Sequence, residues 1–95
     1  MAGPYEREID TYDEPMPRAV HELHTAGRVR SGDPENLVRD TTMGYLTAAC
    51  RDAGIELGEF DRQTLLRLAD LESAAAQAVI GLITRAHAAG RTVPA

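Results

Sequence analysis

From Met16 onward, apolar residues recur every three or four positions, the period of a helix with one face turned inward. Met16, Ala19, Val20, Leu23 and Ala26 share one side of a first predicted helix over 16–26, and Gly27 stops it. Arg28 to Gly32 form a polar connection in which Ser31-Gly32 marks a turn. The second helix, 34–53, has the clearest start. Asp33 is a good N-cap, Pro34 suits the first helical position, and Glu35 favours the positive end of the dipole. Projection at about 100° per residue puts Leu37, Val38, Thr41, Tyr45, Leu46, Ala48 and Ala49 on one broad side. Asn36, Asp40, Gly44, Thr47 and Arg51 fall opposite, and Gly54 ends the helix. A third helix over 61–70 follows, capped by Asp61 and apolar at Leu65, Leu66, Leu68 and Ala69. The apolar phase shifts near Asp70, which favours a corner there over one long helix, and Asp70 or Ser73 can cap a fourth helix over 73–89. Its predicted inward side is Ala75, Ala76, Val79, Leu82, Ile83 and Ala86, with Gln77, Gly81, Thr84, Arg85 and Ala88 outward. Gly90 and Pro94 close the pattern.

No run of β-branched residues alternates long enough to suggest a sheet. The expected fold is therefore all-α: a small bundle of three to four short helices with antiparallel neighbours, since the connections are short. Three segments are expected: a flexible acidic tail at 1–14, a helical domain at 15–90 and a flexible C-terminus at 91–95. The tail carries Glu6, Glu8, Asp10, Asp13 and Glu14 against Arg7 and few aliphatic residues, too little apolar surface to offset ordering entropy.

Composition narrows the function classes. The 95-residue chain is 43% hydrophobic, but Phe60 and three tyrosines are its only aromatics, so the core must be aliphatic. A chain this short buries only roughly 60 to 65% of its unfolded surface, less than a larger domain does, and a partner or second copy would add stability. A net charge of −5 suits nonspecific nucleic-acid binding poorly. All ten basic residues are Arg, which a GC-rich genome accounts for without any functional pressure against Lys. Cys50 is the only cysteine, so neither an intramolecular disulfide nor a cysteine-rich metal site can form. No uninterrupted apolar stretch is long enough for a membrane span, and no signal peptide opens the chain; the expected location is cytoplasmic.

Candidate chemistry is sparse. His21-Glu22-Leu23-His24 is the one cluster of ligand-type residues, and it lacks the two-histidines-four-apart zincin spacing, so two solvated histidines explain it better. His87 reads as a boundary residue of the last helix. Cys50 sits near a helix C-terminus, where the dipole disfavours a thiolate, and reads as a small packing residue. No metal, cofactor or small-molecule ligand is expected, and no catalytic residues can be chosen.

The pair at 61–89 has the outline of a helix-turn-helix, whose second helix would read bases through Ser73 and Gln77, while Arg85, His87 and Arg91 suit backbone phosphates. The outer face of the last helix offers a different use. Ala74, Gln77, Ala78, Gly81, Thr84, Arg85 and Ala88 are mostly small and would let another helix approach closely, though an Ala-rich solvated face is the simpler explanation.

Residues 54–90 also carry a recognisable run: Gly54-Ile55-Glu56-Leu57-Gly58-Glu59-Phe60-Asp61-Arg62-Gln63, then Leu68-Ala69, Glu72, and Val79 through His87. It resembles small helical proteins of actinobacteria, some encoded in phage-like or integrating elements. In that pattern a proline often follows the glutamate, where this chain has Ser73. The resemblance implies a bacterial cytosolic protein; the family has no assigned activity, so no residue acquires a role from it. The function expected from the sequence is a non-enzymatic protein–protein interaction module, an adaptor or a self-associating domain. The alternative is a DNA-associated accessory protein using 61–89.

Overall fold

The computed structural model describes residues 2–30 and 32–92, and they form a small all-α bundle. Four helices follow a single 3-10 turn at Glu8–Thr11: α1 (Pro15–Thr25), α2 (Leu37–Asp52), α3 (Glu59–Ala69) and α4 (Ser73–Thr92). There is no strand among the described residues.

Local chemistry explains most boundaries. Pro15 and Pro17 occupy the first turn of α1, where a missing N–H leaves no gap in the ladder. Two helices end on the same device. Gly27 and Gly54 adopt φ +70 and +76, and the next residue's N–H reaches back to close the end. Arg28 N donates to Leu23 O at 3.0 Å, and Ile55 N to Cys50 O at 2.9 Å, the six-to-one bond of a Schellman motif.

Asp33 caps α2 as expected, but from farther away. The helix begins at Leu37 rather than 34, and the Asp33 carboxylate accepts from Leu37 N at 2.9 Å and Val38 N at 3.0 Å. Pro34 and Glu35 lie in a turn between left-handed Asp33 and Asn36, residue types that tolerate that conformation. Asp61 likewise serves the start of α3 from inside it, accepting from Gly58 N at 2.9 Å, so α3 starts two residues early. The corner near Asp70 separates α3 from α4. Gly90 does not stop α4, which runs on to Thr92; residues 93–95 of the expected flexible end lie outside the described residues.

Met16 and Val20 of α1, Leu46 of α2, Ala69 of α3 and Ala76 of α4 meet in the core, with Val38, Met43, Leu65, Leu68, Val79 and Ile80 packed around them. α2 is central and touches the other three helices. Cys50 is buried beside this core, in keeping with a packing role. Tyr45, expected on the inner side of α2, is 38% exposed, and Thr42 is buried instead, its hydroxyl 3.8 Å from the Met16 sulfur.

Candidate docking surface on the fourth helix

Twenty residues long, α4 contains no acid, and its ionisable residues are confined to its last eight positions: Arg85, His87 and Arg91. A helix that is apolar nearly all round is normally enclosed. Around α4, two sides are covered and one is not.

The first covered side faces the core through Ala76, Val79 and Ile80. This differs from the expected phase. Leu82, placed inward by projection, is 58% exposed, Ala86 is exposed and Ile83 is half-buried. With alanines on every side, the sequence offers little periodic contrast, and contact with α2 selects Val79 and Ile80.

The second covered side is the small-residue stripe, and the chain's own N-terminus lies on it. Within residues 2–14, expected as a mobile tail, Ala2, Gly3, Tyr5 and Thr11 lie against α4, while residues 6–9, Tyr12 and Asp13 are exposed. Gln77 is only 2% exposed; its Nε2 donates to the Tyr5 hydroxyl oxygen at 3.0 Å and to Glu14 Oε2 at 3.5 Å. Gly81 is buried under the same segment. A Cβ there would stand 2.7 Å from Tyr5 Cε2 and 2.8 Å from the Ala2 carbonyl oxygen, so only glycine admits this approach. Arg85 donates from Nε to the Gly81 carbonyl at 3.2 Å, and its guanidinium lies close to Gly3. Burial pushes the Tyr5 hydroxyl above its ordinary pKa, aided by the Glu14 charge and opposed by the Gln77 bond and Arg85. Farther along, Thr11 is buried with its hydroxyl donating to Glu8 O at 2.8 Å, and Asp10 clasps Arg7 through the backbone N–H and the guanidinium.

Of the residues proposed for a partner-docking face, Gln77 and Gly81 are therefore covered from within the chain. Ala74 and Ala78 line a groove whose other wall is the Tyr5–Glu8 segment, Arg85 flanks the covered stripe, and Thr84 and Ala88 are exposed. The close approach inferred from small residues is present, but intramolecular. Tyr5 was the residue missed. One ring among acidic neighbours gives no periodic signal, and only the Gln77/Gly81 spacing hinted at its seat.

The third side of α4 is open. Ala53, Ile55, Leu82, Ile83, Ala86 and His87 surround a shallow groove of about 480 Å³, and Ile55 is 45% exposed. Ile55 belongs to the connection between α2 and α3, turned outward by the Gly54 end of α2.

The other candidates are not brought together. His21 and His24 line an open groove along α1, where His24 Nδ1 donates to the Val20 carbonyl at 3.0 Å. Among the described residues, no three His, Cys, Asp or Glu side chains are placed to hold a metal ion. Burial, with the Asp61 charge adding to it, pushes the Cys50 thiol up and away from nucleophilic form. Of the two side chains suited to reading a base edge, Gln77 is buried, and Ser73 is half-buried at the corner. Among the described residues, no helix is long and apolar enough to cross a membrane. No family model matches the chain, and neither a curated protein nor a solved structure shows significant similarity to it.

Proposed function

We propose that the chain is a non-enzymatic helical interaction module that docks a protein helix on the open side of α4. The observation that carries this reading is Leu82, mid-helix and 58% exposed, beside an apolar groove completed by Ile55. A leucine there gains little from solvent, whereas a helix laid across Leu82 and Ala86 would bury both. Grooves of this kind take amphipathic helices through anchors three, four and seven residues apart. Reading of duplex DNA by 61–89 has less to support it, because the buried Gln77 is unavailable to a base edge.

A photo-crosslinking residue placed at 82 in the source cell tests the reading, with position 63 on exposed α3 as control. Protein adducts at 82 and none at 63 are expected. Equal yields at the two positions, or none at 82, would remove the docking surface.

A further inference from the structure

We infer that residues 2–6 form an arm that lifts from α4 while the four helices stay folded, with Glu6–Arg7 as its pivot and the bond from Gln77 to Tyr5 as its latch.

Between the seated Tyr5 and the buried Thr11, residues 6–9 are exposed. From Arg7 onward the chain is tied down. The Asp10 carboxylate accepts from the Arg7 N–H at 2.9 Å and from its guanidinium at 3.2 Å. The Thr11 hydroxyl donates to Glu8 O at 2.8 Å, and Glu14 N donates to Thr11 O at 3.1 Å. All these bonds lie within the 3-10 turn and its junction with α1, so none breaks when residues 2–6 swing outward. Arg7 is extended, at φ −138 and ψ 160, where the turn ends and the arm departs.

Among the described residues, the one hydrogen bond joining residues 2–6 to α4 runs from Gln77 Nε2 to the Tyr5 hydroxyl oxygen, at 3.0 Å. The same nitrogen carries a second N–H, and Glu14 Oε2 stands 3.5 Å from it. Glu14 is on the fixed side of the pivot, as the residue that precedes α1. Gln77 therefore keeps a carboxylate partner after Tyr5 leaves. A buried amide left without any partner would hold the arm shut; here opening strands no donor. It gives up one hydrogen bond and the contacts of a half-buried ring, and it leaves Met16, Val20, Leu46, Ala69 and Ala76 together. A loss that small permits a minor open population, up to about a tenth of the molecules.

The surface under the arm is shaped to receive it. Glycine is a poor residue for a helix interior, yet Gly81 supplies the gap in which the Tyr5 ring and the Ala2 carbonyl rest. Arg85, bonded to the Gly81 carbonyl, bounds that gap beside Gly3. Closed, the arm covers the gap and the amide of Gln77; open, it presents both to solvent beside a guanidinium. The arm is a lid on this side of α4 and works independently of the open side.

Fluorine NMR of the full chain, carrying 3-fluorotyrosine at position 5, tests this in mildly acidic buffer, where the phenol stays protonated. A free peptide of residues 2–6 with the same label supplies the open position. The expected resonance stands apart from the peptide position in the cold and moves or loses intensity toward it on warming, with helical dichroism unchanged. Gln77→Met, close in volume and lacking the donor, should raise the ratio of open to closed arm about fivefold and leave the dichroism as it was. A resonance at the peptide position even in the cold would mean an empty seat. One that leaves the closed position only as the helices melt would make the arm part of the bundle, and either result overturns the lid. A Gln77→Met resonance identical to that of the unaltered chain would overturn the latch. Should the variant fail to fold, the unaltered chain alone decides whether the arm opens by itself.

Discussion

At Gly81 a single missing Cβ decides whether the N-terminal segment can lie on α4. Gly81→Leu is expected to destabilise the protein despite the poor helix propensity of glycine. Relief of that propensity is worth about 1 kcal/mol, whereas forcing a side chain into the space held by Tyr5 and the Ala2 carbonyl costs about 1–3 kcal/mol and lifts the segment away. Urea denaturation checks the sign, and a stabilised Gly81→Leu would mean that the seat is empty in solution. The Tyr5 hydroxyl gives a second handle. Its pKa is raised in the folded state, so its contribution is complete below the ordinary phenol value and is lost as pH climbs through the folded one. Buried Cys50 has the same sign from a lower starting point. Stability should therefore fall in alkaline solution, first through Cys50 and then, above about pH 10, through Tyr5. Tyr5→Phe should flatten only the upper part of that decline; an unaltered profile would contradict the Tyr5 seat.

Among the elements, α2 shows how much of the fold was legible and where legibility stopped. Asp33 was identifiable as the cap because an acidic residue before Pro and Glu has few other uses, and its carboxylate does hold two N–H groups of the first turn. The intervening turn was not legible, because left-handed Asp33 and Asn36 leave no mark in a hydrophobic pattern. Asp33→Ala should cost about 1–2 kcal/mol by thermal melting, with no change in the remaining helices; a neutral result would mean water caps α2 equally well. For α4 the opposite holds. Its limits were readable to within a few residues from the Asp70 corner and Gly90, while its phase was not, because alanine on all sides gives every projection similar contrast. Ile83, expected on the inward side, is half-buried, and Ile80 packs on the core in its neighbourhood. Aliphatic content says little about the N-terminal segment, whose contact with α4 rests on the Tyr5 ring over Gly81 and on the Tyr5 and Glu14 hydrogen bonds to Gln77, none of which composition reports. Deleting residues 2–12 should lower the thermal midpoint by several degrees, about 4–8 °C for each kcal/mol lost. An unchanged midpoint would return the segment to the status of a free tail.

For the whole molecule, large apolar side chains on the outside are as notable as those within. Phe60 and Leu71 are more than two-thirds exposed, in addition to Leu82 and Ile55, while the buried apolar core among the described residues is Met16, Val20, Leu46, Cys50, Ala69 and Ala76. Such a core leaves little reserve for a domain whose class carries only about 5–15 kcal/mol, and association would add to it by mass action. The candidate site followed from that imbalance rather than from any motif, which is why the sequence indicated a small-residue face on the last helix but chose the side its own N-terminus occupies. On the reading proposed above, a protein helix covers the remaining side of α4, at Leu82, Ala86 and Ile55. Photo-crosslinking from position 82 in the source cell, with position 63 as control, is the measurement that decides it. The predicted result is a protein adduct at 82 and none at 63. Equal yields at the two positions, or none at 82, would contradict it.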